Sequence, residues 1–308
     1  GNQFLSDLNQ ADVLVHVIDC SGGTNEKGES VTAGSYDPAN DIRFLETELD
    51  HWYFGILKKG WEKFARQVQQ EHREIEVSLA KQLSGLGVDE DMAKNVIADI
   101  GVNKETPSSW TEEELMKLST QFRKLTKPMV IAANKIDVPG AMENFERLKK
   151  EFKDYMIIPC SAESELALKE AVKHKLIDYL PGGDVFSILD EEKISDKQKT
   201  ALEFIKSHLL DKLSTTGVQE VLEKAIFKLL DYIAIFPGGT KKLEDQYGNI
   251  LPDCFLMKNG ATALDFAYHI HSDLGDKFIR AIDVKTKMTV GKDHPLKHRD
   301  VVEIITSK

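Results

Sequence analysis

Short aliphatic runs alternate with amphipathic segments in the first part of the chain. The runs at 11–19, 128–134 and 156–160 are rich in Val, Ile and Ala, a composition typical of buried parallel strands. Segments with apolar residues at helical spacing lie between and after these runs. Strands that alternate with helices in this way predict an α/β fold with a doubly wound parallel sheet.

Residues 53–127, which separate the first two predicted strands, carry helical patterns over most of their length. Apolar residues recur about every 3.5 positions over Trp61–Leu86, and this period indicates a coiled-coil seam that Gly85 and Gly87 would end. His72 lies on the seam, and we interpret it as a packed or half-exposed helix residue because no Cys or carboxylate stands at metal-binding spacing. We expect a helical insertion that could project from the sheet as a hairpin.

Further helices are predicted from apolar periodicity and from the residues that begin and end them. Thr111 with Glu114, and Ser195 with Gln198, have the spacing of a capping box at a helix start. Pro181 would stop the helix that follows the third strand. The predicted helices cover 41–53, 89–100, 111–125, 162–180, 195–213 and 216–232.

The pattern changes after residue 232. Strands are predicted at 233–237, 254–257, 278–284 and 301–305, and a helix that begins at Thr262 lies between the second and the third. The order β-β-α-β-β within so short a segment predicts a β-grasp, a small sheet curled around one helix.

Composition indicates a globular chain without a membrane span. Hydrophobic residues make up 41% of the sequence and charged residues 30%, and no run is long and apolar enough to cross a bilayer. The net charge of −11 argues against a uniformly basic nucleic-acid binder. Cys20, Cys160 and Cys254 are far apart and have apolar neighbours, which predicts buried thiols in a reducing cytosol. We therefore expect a cytoplasmic protein with no membrane partner.

The second predicted strand ends in Asn134-Lys135-Ile136-Asp137, the pattern N-K-x-D, which indicates guanine recognition. An ionised Asp137 carboxylate can accept both N–H donors on one edge of guanine, a pair that adenine lacks. Asn134 would brace the loop and reach the far edge of the base. The aliphatic stem of Lys135 would lie along the base, with its ammonium in water. The alternative is an ordinary surface turn with solvated side chains.

A second strand end points to the same ligand. The third predicted strand ends in Ser161-Ala162-Glu163. In G proteins an S-A-[KLE] loop lies beside the N-K-x-D loop and donates a backbone N–H to guanine O6. That donor opposes adenine, whose amino group would face it. Two strands that end in these loops, in the correct order, favour a guanine-nucleotide fold over coincidence.

The chain resembles the YchF (Obg-like) GTPases, as an archaeal-type member, over essentially its whole length. Its final part resembles a TGS domain, a module that several GTPases share. The resemblance implies a P-loop GTPase-type, doubly wound G domain with a helical or coiled-coil insertion, followed by a β-grasp, ubiquitin-like TGS domain. Besides the two loops above, the segments that carry it are Gly1–Leu5, 11–19, Asp37–Ile42, Glu46–Leu49, Asn259–His271 and Leu296–Val302.

The phosphate-reading half of the G domain is missing from these residues. In the family, the phosphate loop and the D-x-x-G switch precede the segment Gly1–Leu5, and no G-x-x-x-x-G-K-[ST] occurs in the chain. Gly23–Ser30 has the spacing, but Glu29 replaces the lysine and would repel phosphate, so we interpret it as a flexible loop. We expect an incomplete G domain that begins in mid-domain, with the Mg²⁺ ligands upstream of Gly1 and the catalytic residues unknown.

Patterns and resemblance together divide the chain into four parts. The G domain would comprise 1–52 and 128–185, interrupted by the helical insertion at 53–127. A helical connector at 186–232 would lead to the TGS domain at 233–308.

The resemblance implies a GTP-binding protein that hydrolyses GTP as a conformational switch. It also implies an association with ribosomes or RNA through the TGS domain and the helical insertion. Many members of the family carry an altered fourth motif and prefer ATP, whereas the intact N-K-x-D predicts GTP or GDP here. An ATP-preferring member and a non-enzymatic scaffold for RNA or ribosomal proteins are the alternatives. A dehydrogenase is disfavoured because no glycine-rich dinucleotide fingerprint follows a strand.

The C-terminal part is relatively basic within an acidic chain. From Ile233 to Lys308 there are 11 Lys and Arg against 10 Asp and Glu. Lysines in this part are candidate RNA contacts, but for any single lysine an ordinary solvated side chain is the favoured interpretation. His269 and His271 are two apart on a predicted helix, so a shared metal is disfavoured. The candidate lysines are Lys241, Lys242, Lys285, Lys287 and Lys292.

Overall fold

Three parallel strands form the sheet of the N-terminal part of the chain. The computed structural model describes residues 8, 10–244, 248–251 and 253–307, so the predicted similarity at Gly1–Leu5 lies outside the described residues. The strands β1 (Leu14–Asp19), β2 (Met129–Asn134) and β3 (Met156–Pro159) lie side by side in that order. Asp19 pairs with Asn134, and Ala133 with Pro159. The predicted strands are confirmed, and their carboxyl ends meet at one edge of the sheet.

Helices fill the chain between β1 and β2. Those predicted at 89–100 and 111–125 are present, and the side chain and backbone of Thr111 and Glu114 form the expected capping box. The helices are α1 (Ala39–Lys58), α2 (Trp61–Gln70), α3 (Ile75–Gln82), α4 (Glu90–Ile100) and α5 (Glu112–Thr126), with 3₁₀ turns at Ser84–Leu86 and Pro107–Ser109.

The prediction of a coiled-coil seam over Trp61–Leu86 is wrong. The α2 helix ends at Gln70, and the chain turns at the exposed His72, which has φ 52° and is therefore not a packed helix residue. The apolar stripe resumes in α3, and both halves are buried in one core with Trp110 and Phe122. Periodicity reports which face of a helix is buried, but not whether the partner is a second long helix or a bundle of short ones. These helices fold against one another and do not form an extended hairpin.

Two helix boundaries after β3 also differ from the prediction. The helix predicted over 162–180 ends at Lys173, because a turn at 174–176 leads into a strand that pairs with a second one to make an antiparallel hairpin. The helix predicted over 216–232 begins at Val218. The elements are α6 (Ala141–Glu151), α7 (Ala162–Lys173), β4 (Ile177–Tyr179), β5 (Phe186–Ile188), a 3₁₀ turn (Glu191–Lys193), α8 (Asp196–Ile205) and α9 (Val218–Lys224); α8 continues through a π turn (Lys206–Leu210) to Leu213, and α9 continues through Ala225–Leu229.

The two faces of the sheet are covered unequally. The central strand β2 is buried from Met129 to Ala133, as predicted. On the edge strand β1, however, Val15 is 40% exposed and Val17 is 59% exposed. The α9 helix packs on β2 and β3, which lie away from this edge of the sheet. The prediction of a buried strand therefore holds for only one face of β1.

A buried arginine connects the helical segment to the rest of this unit. Arg123 on α5 is 1% exposed, and its Nε donates to Asp50 Oδ1 on α1 at 2.8 Å. Its Nη1 donates to the Tyr155 hydroxyl at 3.2 Å, just ahead of β3. Tyr155 in turn donates to Glu46 Oε1 at 2.6 Å. A buried guanidinium needs such partners, so this cluster ties α5, α1 and the start of β3 together.

The chain from Ile226 onward forms a second unit with its own sheet and core. The elements are β6 (Tyr232–Pro237), β7 (Phe255–Lys258), α10 (Ala263–Ile270), α11 (Ser272–Asp276), β8 (Phe278–Asp283), β9 (Met288–Val290) and β10 (Asp300–Thr306). The sheet has the order β7-β6-β10-β8-β9, with β6 and β10 parallel and the remaining pairs antiparallel. This is the predicted β-grasp, to which the structure adds the short edge strand β9.

Candidate functional site

The N-K-x-D loop (Asn134–Asp137) and the S-A-E loop (Ser161–Glu163) lie side by side at the carboxyl edge of the parallel sheet. β2 leads into the first loop and β3 into the second, and these two strands are neighbours. In open α/β sheets this edge is where ligands bind. The third strand end on this edge belongs to β1 and carries Asp19, which faces Asn134 in the register.

Asn134 joins the two loops directly. Its side-chain Oδ1 accepts the backbone N–H of Ala162 at 2.9 Å. Its carbonyl accepts the N–H of Cys20 at 2.9 Å, so the same residue also holds the segment after β1. A further bond runs from the Ile136 N–H to the Cys160 carbonyl at 3.1 Å. The bracing role expected for Asn134 therefore corresponds to an observed contact.

Lys135 is placed differently from the prediction. Its φ is 60°, an uncommon left-handed conformation for a non-glycine residue. The ammonium, expected to lie free in water, donates to Asp19 Oδ2 at 2.7 Å and to Thr24 Oγ1 at 3.3 Å. This ion pair fixes the head of the side chain and leaves its aliphatic stem beside the loop.

Asp19 is a site residue that the sequence analysis missed. Burial opposes its ionisation, but hydrogen bonds from Lys135, Ser21 and Thr24 outweigh burial and hold the pKa of Asp19 below its usual value. The hydroxyls of Ser21 and Thr24 each donate to it at 2.6 Å. The available signal was an acidic residue at the end of the strand that neighbours the N-K-x-D strand.

The remaining predicted site residues surround these contacts. Asp137 is half-buried, and within the described residues no protein group donates a hydrogen bond to its carboxylate. Ser161 is buried and accepts the N–H of Ser164 at 3.3 Å, so it is the N-cap of α7. Ala162 and Glu163 lie exposed in the first turn of that helix. All six predicted residues thus lie at the carboxyl ends of two adjacent strands.

Two of the three cysteines lie beneath these loops. Cys20 and Cys160 are buried, and burial raises the pKa of each thiol to about 12, which makes both poor nucleophiles. Cys254 is exposed immediately before β7, so the prediction of a buried thiol is wrong there. Its apolar neighbours alternate between the two sides of a strand, and adjacency to them does not bury it.

The segment Gly23–Ser30 forms a hydrogen-bonded turn after β1. Thr24 and Ser30 form an isolated antiparallel bridge. Asn25 Oδ1 accepts the N–H groups of Lys27 and Glu29, both at 3.0 Å. Its apparent phosphate-loop spacing therefore belongs to an asparagine-centred turn.

No cluster of three or more His, Cys, Asp or Glu side chains able to hold a metal ion occurs in the described ranges. Among the helices that the structure describes, none is long and apolar enough to cross a membrane.

Comparison with known proteins assigns the chain to a family. Residues 132–239 match the Obg-like GTPase YGR210-like, G4 motif-containing domain, and residues 242–306 match the TGS domain. A GTP-binding protein of Methanocaldococcus jannaschii is 49% identical over 308 residues, which are 100% of this chain and 76% of that protein. The chain belongs to the YchF/Obg-like family of GTP-binding proteins. Its fold is accordingly the mixed α/β fold of that family with a C-terminal TGS domain.

Other members of this family extend the comparison. A solved structure of a GTP-binding protein from Pyrococcus horikoshii OT3 is 38% identical, with a TM-score of 0.75 over 99% of this chain and 81% of that one. A ribosome-binding ATPase YchF from Buchnera aphidicola is 25% identical and matches 92% of this chain. The chain spans 65% of the length of that bacterial relative.

Proposed function

We propose that this chain supplies the base-reading half of a GTP site in a nucleotide-dependent switch. The observation that carries the proposal is the 2.9 Å bond from the Ala162 N–H to Asn134 Oδ1, which joins the N-K-x-D and S-A-E loops beside the half-buried Asp137. Asn134, Lys135, Asp137, Ser161, Ala162 and Glu163 are the proposed nucleotide contacts.

Guanine would be read from two sides. The Asp137 carboxylate accepts N1–H and the exocyclic amino group, a charge-assisted bidentate contact. The Ala162 N–H is shared between Asn134 Oδ1 and guanine O6, so the amide oxygen keeps its donor and the cost is small. The Lys135 stem, held by the Asp19 ion pair, supports the face of the base. Adenine offers an acceptor at N1 and an amino group at position 6, so both contacts become repulsive.

GTP hydrolysis is the activity we propose for the full-length protein. Phosphoryl transfer needs a phosphate loop, Mg²⁺ and an oriented water, which families of this kind bring to the nucleotide from outside the base-reading loops. The proposed division of the chain is a G domain at 1–52 and 128–185, a helical insertion at 53–127, a connector at 186–232 and a TGS domain at 233–308. The protein is proposed to act in the cytoplasm.

The nucleotide preference tests the proposed site. Full-length protein should bind GTP and GDP at least roughly 100-fold more tightly than ATP, because a site built to pair with guanine leaves polar groups unpaired against adenine. Competition of each nucleotide against a fluorescent GDP analogue measures this ratio. Equal displacement by GTP and ATP would sink the proposal and favour an ATP-preferring member of the family.

Ribosome association is the proposed cellular role, supported by the name of the bacterial relative and by the TGS domain. We expect GTP-loaded full-length protein to sediment with ribosomes, and the bound fraction to fall as salt is raised if lysines of the TGS domain contact RNA. Ribosomes should also accelerate GTP turnover. Binding without any turnover in their presence would support the non-enzymatic scaffold instead.

A further inference from the structure

A third segment lies against the S-A-E loop. The Thr-Gly turn (Thr215–Gly217) precedes α9, and no guanine motif includes it. The carbonyl of Thr216, which is fully buried, accepts the N–H of Ser161 at 2.9 Å. Gly217 lies so close to the end of β3 that a Cβ there would be 1.9 Å from the Pro159 carbonyl oxygen. The turn therefore contacts the backbone on which the S-A-E loop begins.

A buried carboxylate fixes this turn from the other side. Glu165 on α7 is 6% exposed, and its Oε2 accepts the Thr216 hydroxyl at 2.6 Å. The same oxygen accepts the hydroxyl of Tyr179 on β4 at 2.8 Å. The Tyr179 oxygen also accepts the Gly182 N–H at 3.2 Å. A buried acidic side chain is costly unless its acceptors are satisfied, so this network strongly constrains α7, β4 and the Thr-Gly turn together.

The two restraints leave little freedom for Ala162. On one side of it, the Ser161 backbone is held by Thr216. On the other side, the Ser164 N–H donates to Ser161 Oγ, and the Glu165 carboxylate accepts the Thr216 hydroxyl. Only the Ala162 N–H itself points to the N-K-x-D loop, through Asn134. A shift of the Thr-Gly turn would therefore move the Ala162 N–H, the donor that opposes the adenine amino group at position 6. The Asp137 carboxylate would stay in place, because it belongs to the loop after β2.

We propose that the Thr-Gly turn is a positioning segment for guanine specificity, which sets the Ala162 N–H at guanine O6 through Thr216 and Glu165. The inference rests on the proposed function. It separates two parts of base recognition: Asp137 reads the 2-amino edge, and the Thr-Gly turn controls the reading of position 6. The nearest alternative is that the network only packs the core, in which case its loss weakens binding of every nucleotide alike.

Thr216→Val tests the proposal, because it removes the hydroxyl and keeps the shape and the backbone carbonyl. We expect the preference for GTP over ATP to fall roughly tenfold, since one buried hydrogen bond to a carboxylate is lost. The preference for GTP over inosine triphosphate should stay within about twofold of the original value, because both bases carry O6 and differ only at the 2-amino group that Asp137 reads. Thr216→Ser, which restores the hydroxyl, should recover the preference over ATP.

Thr126→Val is the matched control. The Thr126 hydroxyl lies 2.6 Å from the Tyr53 hydroxyl and donates to the Phe122 carbonyl at 2.8 Å, away from both loops. It should lower the melting temperature without altering either nucleotide ratio. Unchanged ratios in Thr216→Val, an equal loss of affinity for all three nucleotides, or failure of Thr216→Ser to restore specificity would each overturn the inference while the proposed function stands. Wild-type protein that binds GTP and ATP equally would overturn the proposed function as well.

Discussion

Asp137→Asn should convert a guanine site into a xanthine site. The amide keeps one acceptor for N1–H but turns an N–H₂ donor toward the guanine amino group, so GTP affinity should fall roughly 10²- to 10³-fold. Xanthine has a carbonyl oxygen at position 2, which accepts that donor. Xanthosine triphosphate should therefore bind the variant more tightly than GTP does, the reverse of wild type. Titration calorimetry with both nucleotides on the full-length protein measures the change.

Asp154→Asn is the control for this variant. It makes the same change in charge and chemistry, but Asp154 is exposed and precedes β3, at the opposite end of the strand from the base-reading loops. Its nucleotide affinities should match wild type. If Asp137→Asn left the GTP affinity intact, the N-K-x-D loop would be the ordinary surface turn that remained the alternative for this sequence. A loss of GTP affinity with no gain for xanthine nucleotides would indicate that the substitution disrupted the loop and did not change its base specificity.

Gly217→Ala should cost about 3 kcal/mol or more of folding free energy and abolish tight GTP binding. Gly217 has φ 81°, a conformation that side chains disfavour. Its new Cβ would also lie 1.9 Å from the Pro159 carbonyl oxygen and 2.8 Å from Cys160 Cα. These are backbone atoms of the β3 end, so relief requires the S-A-E loop or α9 to move. Denaturant unfolding gives the free energy, and calorimetry gives the nucleotide affinity.

Gly101→Ala separates the two causes of destabilisation, which are the strained backbone conformation and the collision of the new Cβ. Gly101, which ends α4, has φ 77°, and no atom lies within 4 Å of a Cβ built there. This variant carries the conformational strain without the collision and should lose only about 1 kcal/mol, with GTP binding unchanged. Equal losses from the two variants would show that the close packing of Gly217 on β3 has no energetic weight.

The strands and their loops were predictable because their signals are local. The strands that end at Asp19, Asn134 and Pro159 are short aliphatic runs. A few consecutive residues of this kind are enough to predict a buried strand. The same holds for the capping boxes that begin α5 and α8, where both partners lie within one turn. The coiled-coil error over Trp61–Leu86 has the opposite origin. Its apolar period was correct, but the stripe packs on residues elsewhere in the insertion, including Trp110 after a 3₁₀ turn and Phe122 on α5.

By itself, the sequence determined the three parallel strands, most of the helices and the β-grasp at the end, but not the β4–β5 hairpin. It also carries the proposed chemistry of the N-K-x-D and S-A-E loops. Residues in these elements act through neighbours close in the chain. Only the tertiary structure decided that Lys135 pairs with Asp19 and that Asn134 bonds to Ala162. It alone brought the Thr-Gly turn onto the S-A-E loop. Hydrogen bonds between side chains far apart in sequence depend on how strands are placed in the sheet, and no short-range pattern encodes that placement.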